Sequence, residues 1–244
     1  MKVFGFLSKG EKFFVHVTCN VIIGITLLTI FAFSIFSPVA SQAYVSTGGA
    51  IYNGDRSSNN VCLMINVYWG TEYLGSMLET LAKHNIKTTF FVGGCWVAKN
   101  NEMLQKICSM GHEIGNHGYF HKDHAKISSA KNQDEIYMTQ ELVKAVCGAQ
   151  MELFAPPSGS VNDKVISTAA KLGYKTIMWS RDTIDWRDKD RDLIFRRATE
   201  KTVGGDLILM HPTEKTAEAL DDIITTLKSK GLCLTTVSQT INLN

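Results

Sequence analysis

Beyond residue 60, apolar runs of strand length alternate with stretches of helical periodicity, and this alternation restricts the fold more than any other property of the chain. The runs are Val61 to Val67, Thr88 to Val92, Thr176 to Trp179, Asp206 to Met210 and Cys233 to Val237. Between them Leu74, Met77, Leu78 and Leu81 recur at helical spacing, as do Met103, Leu104, Ile107 and Cys108, then Ile136, Leu142, Val143 and Val146. Lys171-Leu172-Gly173 and Lys230-Gly231 end two further helices. Strands each covered by a helix make an α/β domain with parallel strands, arranged as an open sheet or a barrel. An apolar fraction of 45% in 244 residues fills such a core. No glycine-rich phosphate loop follows the first strand, which removes the usual nucleotide site.

The N-terminus follows a different pattern. Lys2, Lys9 and Lys12 precede Val21 to Phe36, a stretch with no ionisable residue. As a helix it reaches roughly 24 Å at about 1.5 Å per residue, somewhat short of a hydrocarbon core near 30 Å. Ser41 and Ala43 suit the −3 and −1 positions of a signal-peptidase site, so residues 1–43 read as a signal peptide or an uncleaved membrane anchor. Lysines on the N-terminal flank stay in the cytoplasm and send the rest outward. Residues 44–60, rich in Ser, Gly and Asn, read as a linker or leading loop, and 61–240 as the main domain. Cys19, Cys62, Cys95, Cys108, Cys147 and Cys233 are scattered without metal-type spacing; they read as buried thiols rather than as a disulfide framework. The net charge of +2, with no basic block, gives no electrostatic footprint for nucleic acid.

His117 and His121 stand four residues apart, so one helical turn or one tight loop brings both imidazoles to the same ion. A catalytic zinc takes three protein ligands and an open position for water, which makes the third ligand decisive. The other notable polar residues follow strand ends: Asn66 to Glu72, Asp182 to Trp186, and His211. A barrel keeps its active site there.

In order along the chain stand Lys87-Thr88-Thr89-Phe90-Phe91-Val92-Gly93, Gly111-His112-Glu113-Ile114-Gly115-Asn116-His117 leading to His121, and Phe154-Ala155-Pro156-Pro157-Ser158-Gly159. Asp182-Thr183-Ile184-Asp185-Trp186 and Leu207-Ile208-Leu209-Met210-His211 complete the set. Over Val61 to Val237 this pattern resembles the polysaccharide deacetylase (NodB-homology, carbohydrate esterase) family. The resemblance implies a distorted (β/α) barrel, preceded here by one N-terminal hydrophobic helix. It implies hydrolysis of N- or O-acetyl groups on a polysaccharide, peptidoglycan or a chitin-like polymer, with a divalent metal that is zinc, or alternatively cobalt or nickel. His117 and His121 match the metal histidines, His211 the general acid, and Asp185 the carboxylate that orients it. Trp186 matches the wall of the acetyl pocket, with Tyr68 and Pro157 as further substrate contacts. The expected partners are a glycan and, if the N-terminal segment is kept, the membrane; the protein is read as an extracytoplasmic monomer.

Two departures are visible. The family's first motif ends in an aspartate pair, general base and third metal ligand, but this strand reads Ile65-Asn66-Val67-Tyr68-Trp69-Gly70; whether the pair aligns with Asn66 and Val67, Asn66 and Tyr68, or Tyr68 and Trp69, both acids are missing. Ala155 stands where the family has the arginine that holds the base. The two losses are coherent, because that arginine without its carboxylate would be a poorly compensated buried charge. Asn66 at the base position and Glu72 as third ligand are the substitutes considered, although an amide is no base. The sequence therefore supports a deacetylase with an altered or missing base, or a catalytically silent glycan-binding module on the same fold.

Overall fold

The computed structural model describes residues 18, 20, 22–26 and 49–243. The chain divides into two units, Met1–Ala43 and Tyr44–Asn244. In the first, residues 22–26 are helical, Ile22, Ile23 and Ile25 are exposed, and the Thr26 hydroxyl donates to the Ile22 carbonyl. The rest of the expected hydrophobic segment, Cys19, and Ser41 and Ala43 lie outside the described residues. Among those that are described, no helix is long and apolar enough to cross a membrane.

The second unit is built on parallel strands: β1 (Asn60–Val67), β2 (Thr89–Val92), β3 (Glu113–Asn116), β4 (Leu153–Phe154), β5 (Lys175–Thr176), β6 (Arg181–Asp182), β7 (Leu207–Met210) and β8 (Cys233–Leu234). Their order is β5-β4-β3-β2-β1-β7-β6, with β8 added to the start of β1. The two outer strands, β5 and β6, are not paired with each other. The sheet therefore curls into an incomplete barrel, consistent with the expected distorted (β/α) architecture.

Among the described residues of the second unit, seven α-helices connect or close these strands: α1 (Thr71–Lys83), α2 (Gly94–Val97), α3 (Asn101–Ser109), α4 (Ser129–Cys147), α5 (Asp163–Lys171), α6 (Arg191–Thr199) and α7 (Glu214–Ser229). A short α8 (Val237–Thr240) follows β8. The α1 face buries Leu74, Met77, Leu78 and Leu81, the four residues whose spacing marks it in the sequence. The final run expected over Cys233 to Val237 breaks after Leu234. Thr236 accepts from the Gln239 backbone N–H while the Gln239 side chain accepts from the Thr236 N–H, a capping box that starts a helix at Val237 instead.

Pleating sorts β1 into two layers. Leu63, Ile65 and Val67 pack outward under the helices, whereas Cys62 and Met64 join Phe91, Leu153, Ala155, Ile177 and Leu207 inside the barrel. At the N-terminal ends of the strands the foot is closed by the leading segment: Ile51 donates to the Thr176 carbonyl at 2.9 Å and Gly54 to the Gly205 carbonyl at 2.7 Å. Asp206, fully buried just before β7, accepts from Arg56, Ser180, Arg181 and the Val203 N–H. Burial opposes its charge, but these hydrogen bonds outweigh that cost and hold the carboxyl below its ordinary value. We expect Asp206→Asn to destabilise the domain by about 2–4 kcal/mol at neutral pH, read by urea unfolding, because it strands buried donors. The deficit should shrink in acid, as protonation of Asp206 removes the same charge from the unsubstituted protein.

Candidate active site

At the C-terminal ends of the strands a groove of ≈ 460 Å³ opens, within the range of small-ligand pockets. Its wall includes Asn66, Tyr68, Trp69, His117, His121 and His211. Asn66 continues the inward face of Cys62 and Met64 at the last turn of the pleat. It is 5% exposed, and its Oδ1 has no hydrogen-bond partner within the protein. A buried acceptor left open at the head of a groove is suited to a donor on a ligand or to a water.

His117 and His121 come from the loop after β3, and the loop is tight rather than helical: Gly118 has φ 70° and His121 φ 55°. A Cβ on Gly118 would come within 2.9 Å of His124 Nε2, so this bend needs glycine. The buried Glu135 on α4 holds the loop by accepting from the Tyr119 and Phe120 N–H groups at 2.7 and 2.6 Å. The His117 and His121 ring centroids stand 5.2 Å apart. His117 Nδ1 donates to the Ala155 carbonyl at 2.7 Å, which fixes the proton there and leaves Nε2 as an acceptor. Burial first, then the neighbouring His121, pushes the His117 pKa down to about 3, against a smaller opposing effect of the Ala155 carbonyl. Burial also lowers His121. Both rings are thereby kept neutral, as metal ligands must be.

The opposite wall carries the acid arm. His211 Nδ1 donates to Asp185 Oδ1 at 2.8 Å, while Asp185 Oδ2 accepts from the His211 N–H at 2.6 Å and from the Thr216 hydroxyl at 2.7 Å. The Asp185 side chain is fully buried. The preceding Ile184 has φ 53°, a conformation that β-branched residues rarely adopt, and Asp182 stabilises the turn by accepting from its N–H at 2.8 Å. Trp186, 55% exposed, lines the groove.

Where the first motif should deliver carboxylates, the structure has rings. Tyr68 lies against His121 at 4.7 Å between centroids, and Trp69 stacks on His211 at 5.8 Å with planes 7° apart. Gly70, at φ 78°, sets this delivery: a Cβ there would sit 2.0 Å from the Pro212 carbonyl oxygen, so strand end and His211 loop meet backbone to backbone. Glu72 does not complete a metal site. It is exposed in the first turn of α1, where the helix dipole favours an acid, and it is absent from the groove wall. Among the described residues no group of three or more His, Cys, Asp or Glu side chains could hold an ion. The two histidines suit zinc as donors, but the donor set stops at two and lacks any anionic ligand, so the residues present do not fit a catalytic divalent metal.

Other expectations also shift. Pro157 is buried beneath the groove, whose wall is formed by its neighbours Ser158 and Gly159. His124, which reads as loop surface in the sequence, is fully buried with both ring nitrogens unpartnered. Asp182 is the only carboxylate among the groove-lining residues. Thr216 and Glu135 carry no sequence signal of a functional role, since a threonine at a helix start and a glutamate within a helix are ordinary.

The family description "Polysaccharide deacetylase" matches residues 53–177. The chain is 43% identical over 189 residues to the uncharacterised protein YlxY of Bacillus subtilis, covering 78% of this chain and spanning 59% of that protein. It is 30% identical over 201 residues to a peptidoglycan-N-acetylglucosamine deacetylase of Bacillus cereus, covering 80% of this chain and 71% of that one. Among solved structures it is similar to BA3943 of Bacillus anthracis, a CE4 family pseudoenzyme, with 39% identity and a TM-score of 0.77 over 79% of this chain and 69% of that one. A mutant of BA3943 with restored enzymatic activity superposes equally well, at 38% identity and a TM-score of 0.77 over 79% of this chain and 71% of that one.

Three buried histidines give a testable pH dependence. His112 and His124 are pushed down to about 4, chiefly by burial, and His117 to about 3. The unfolded chain protonates these rings near pH 6.5 and the folded chain does not. Stability is therefore intact above that pH and falls below it, by up to about 1.4 kcal/mol per pH unit for each ring. Denaturant unfolding at pH 7 and pH 5 should show the loss, reduced in His124→Gln.

Proposed function

The chain belongs to the polysaccharide deacetylase family, and we propose that its groove binds an N-acetylated cell-wall glycan of the peptidoglycan class while keeping only the acid half of a hydrolytic site. The named relatives include peptidoglycan deacetylases, which are hydrolases. The observation that carries the reading is a strand end without a carboxylate: Asn66, Tyr68 and Trp69 stand there, with the Tyr68 and Trp69 rings packed on His121 and His211.

Amide hydrolysis needs an activated water, stabilisation of the carbonyl oxygen and a proton for the departing amine. His211, oriented by Asp185, is suited to the last task. For the first there is no base beside the histidines, and a positioned base is typically worth about 10²–10⁴ in rate. Binding requires neither. Exposed faces of Trp69 and Trp186 suit the apolar face of a sugar ring, and the open Asn66 Oδ1 suits a hydroxyl or acetamido N–H. The restored activity of a BA3943 mutant supports the same order of dependence, in which groove and fold persist without catalysis. Export by the N-terminal segment, which would bring the groove to the cell wall, is part of the proposal.

A second reading has its own observation. Asp182 lines the groove and could act as a base, giving slow deacetylation. Calorimetry and acetate release with soluble N-acetylated peptidoglycan fragments, with and without zinc, distinguish the two. We expect saturable binding that weakens about tenfold in Trp186→Ala, with no acetate above the blank until carboxylates are restored at the strand end, in Tyr68→Asp/Trp69→Asp or in Asn66→Asp/Tyr68→Asp, each combined with Ala155→Arg. Acetate release by the unsubstituted protein that Asp182→Asn abolishes would select the slow enzyme. Absence of glycan binding would overturn both readings.

A further inference from the structure

Away from the groove, two thiols that the sequence leaves unpaired meet at the barrel foot. Cys108 lies in the last turn of α3, and Cys147 is the final residue of α4. Both are half-buried and pack against the same core cluster, as do Met103, Leu142 and Val146. The helices are joined at this level by the Gln105 side-chain amide, which donates to the Val146 carbonyl at 3.3 Å. Both cysteines border one open recess with His112 and Glu113, so a small solute reaches them. Burial first, and then the neighbouring Cys147, push the Cys108 thiol up to about 12. Cys62, by contrast, is fully buried against Thr88 and Thr89, and Cys233 is exposed. The recess is not a metal site, since no third ligand joins the pair among the described residues.

We propose that Cys108 and Cys147 form a disulfide when the chain meets a disulfide oxidant of the kind found outside the cytoplasm. The bridge would close residues 109–146 into a covalent loop. That loop contains β3, His117, His121 and Glu135, so the segment carrying the paired histidines would be clamped at both ends while the groove itself stays untouched. Constraining this loop lowers the entropy of the unfolded chain, the usual origin of disulfide stabilisation. With oxidised glutathione as oxidant the chemistry balances. One cysteine thiolate attacks the glutathione disulfide and releases one glutathione thiol; the second cysteine then attacks the mixed disulfide and releases the other. The cysteine pair loses two electrons, and its two protons end on the two glutathiones.

The test uses the full chain, reduced and then incubated with oxidised glutathione, with free thiols alkylated before peptide mapping. The expected result is one linked peptide joining Cys108 to Cys147. Thermal unfolding should occur roughly 5–10 °C above that of the reduced protein. The gap should vanish in Cys108→Ser and in Cys147→Ser, each scored only if its circular dichroism is native, and persist in Cys95→Ser. Alkylation of both thiols after oxidant treatment, or a bridge to any other cysteine or to a second chain, would overturn the proposal. No glycan enters the assay, so its outcome is independent of the binding reading.

Discussion

β1 is hydrogen-bonded along both edges, to β2 and β8 on one side and to β7 on the other, and this central position determines what the groove contains. With both edges paired, its pleat cannot rotate, and a slip by one residue would turn Ile65 and Val67 inward in place of Met64 and Asn66. The inward direction of Asn66 and the emergence of Tyr68 and Trp69 beyond the last pair, Val67 with Val92, are therefore properties of the backbone. The chemistry of the side chains at those positions is free to change while their addresses stay fixed. Gly70, in backbone contact with Pro212, secures the second address beside His211.

The groove that results is electrostatically muted. Its two neighbouring histidines are driven neutral by burial, and the one well-buried charge, Asp185, is consumed by three hydrogen bonds with His211 and Thr216. Where carboxylates beside an ion would concentrate charge, two aromatic rings cover the histidines instead. Such a surface favours a neutral, partly apolar ligand over an anion or a metal ion. The coupled absence of the arginine at Ala155 fits, because no buried carboxylate remains for it to neutralise.

Much of this was legible in the sequence where a single interaction imposes a period or a motif. The α1 stripe, the apolar strands β1, β2 and β7, and the helix stops at Gly173 and Gly231 follow from local patterns. The mixed strand β3, the two-residue β4 and the polar β6 carry too few apolar residues to signal themselves and exist because neighbouring strands pair with them. α6 escaped notice for a related reason, with Ile194 and Ala198 as its main buried residues among many charges. At the site, His117, His121, His211 and Asp185 were identifiable from spacing and family pattern. The contacts of Tyr68 and Trp69, the outward course of Glu72 and the burial of His124 depend on how loops from different strands meet, which no local pattern encodes. The scatter of cysteines reads as buried thiols, yet Cys233 is exposed, and Cys108 and Cys147 converge from helix ends 39 positions apart.

The groups that anchor the barrel, Asp206 with its two arginines and the closing segment at Ile51, lie at the opposite end from the groove. This separation bears on how the chain fares inside a cell. Proteases and chaperones sense the unfolded fraction, not the chemistry of a groove. A change of side chain at the exposed mouth that leaves the contacts of the foot in place therefore alters what the groove can do without touching the anchors that hold the barrel closed.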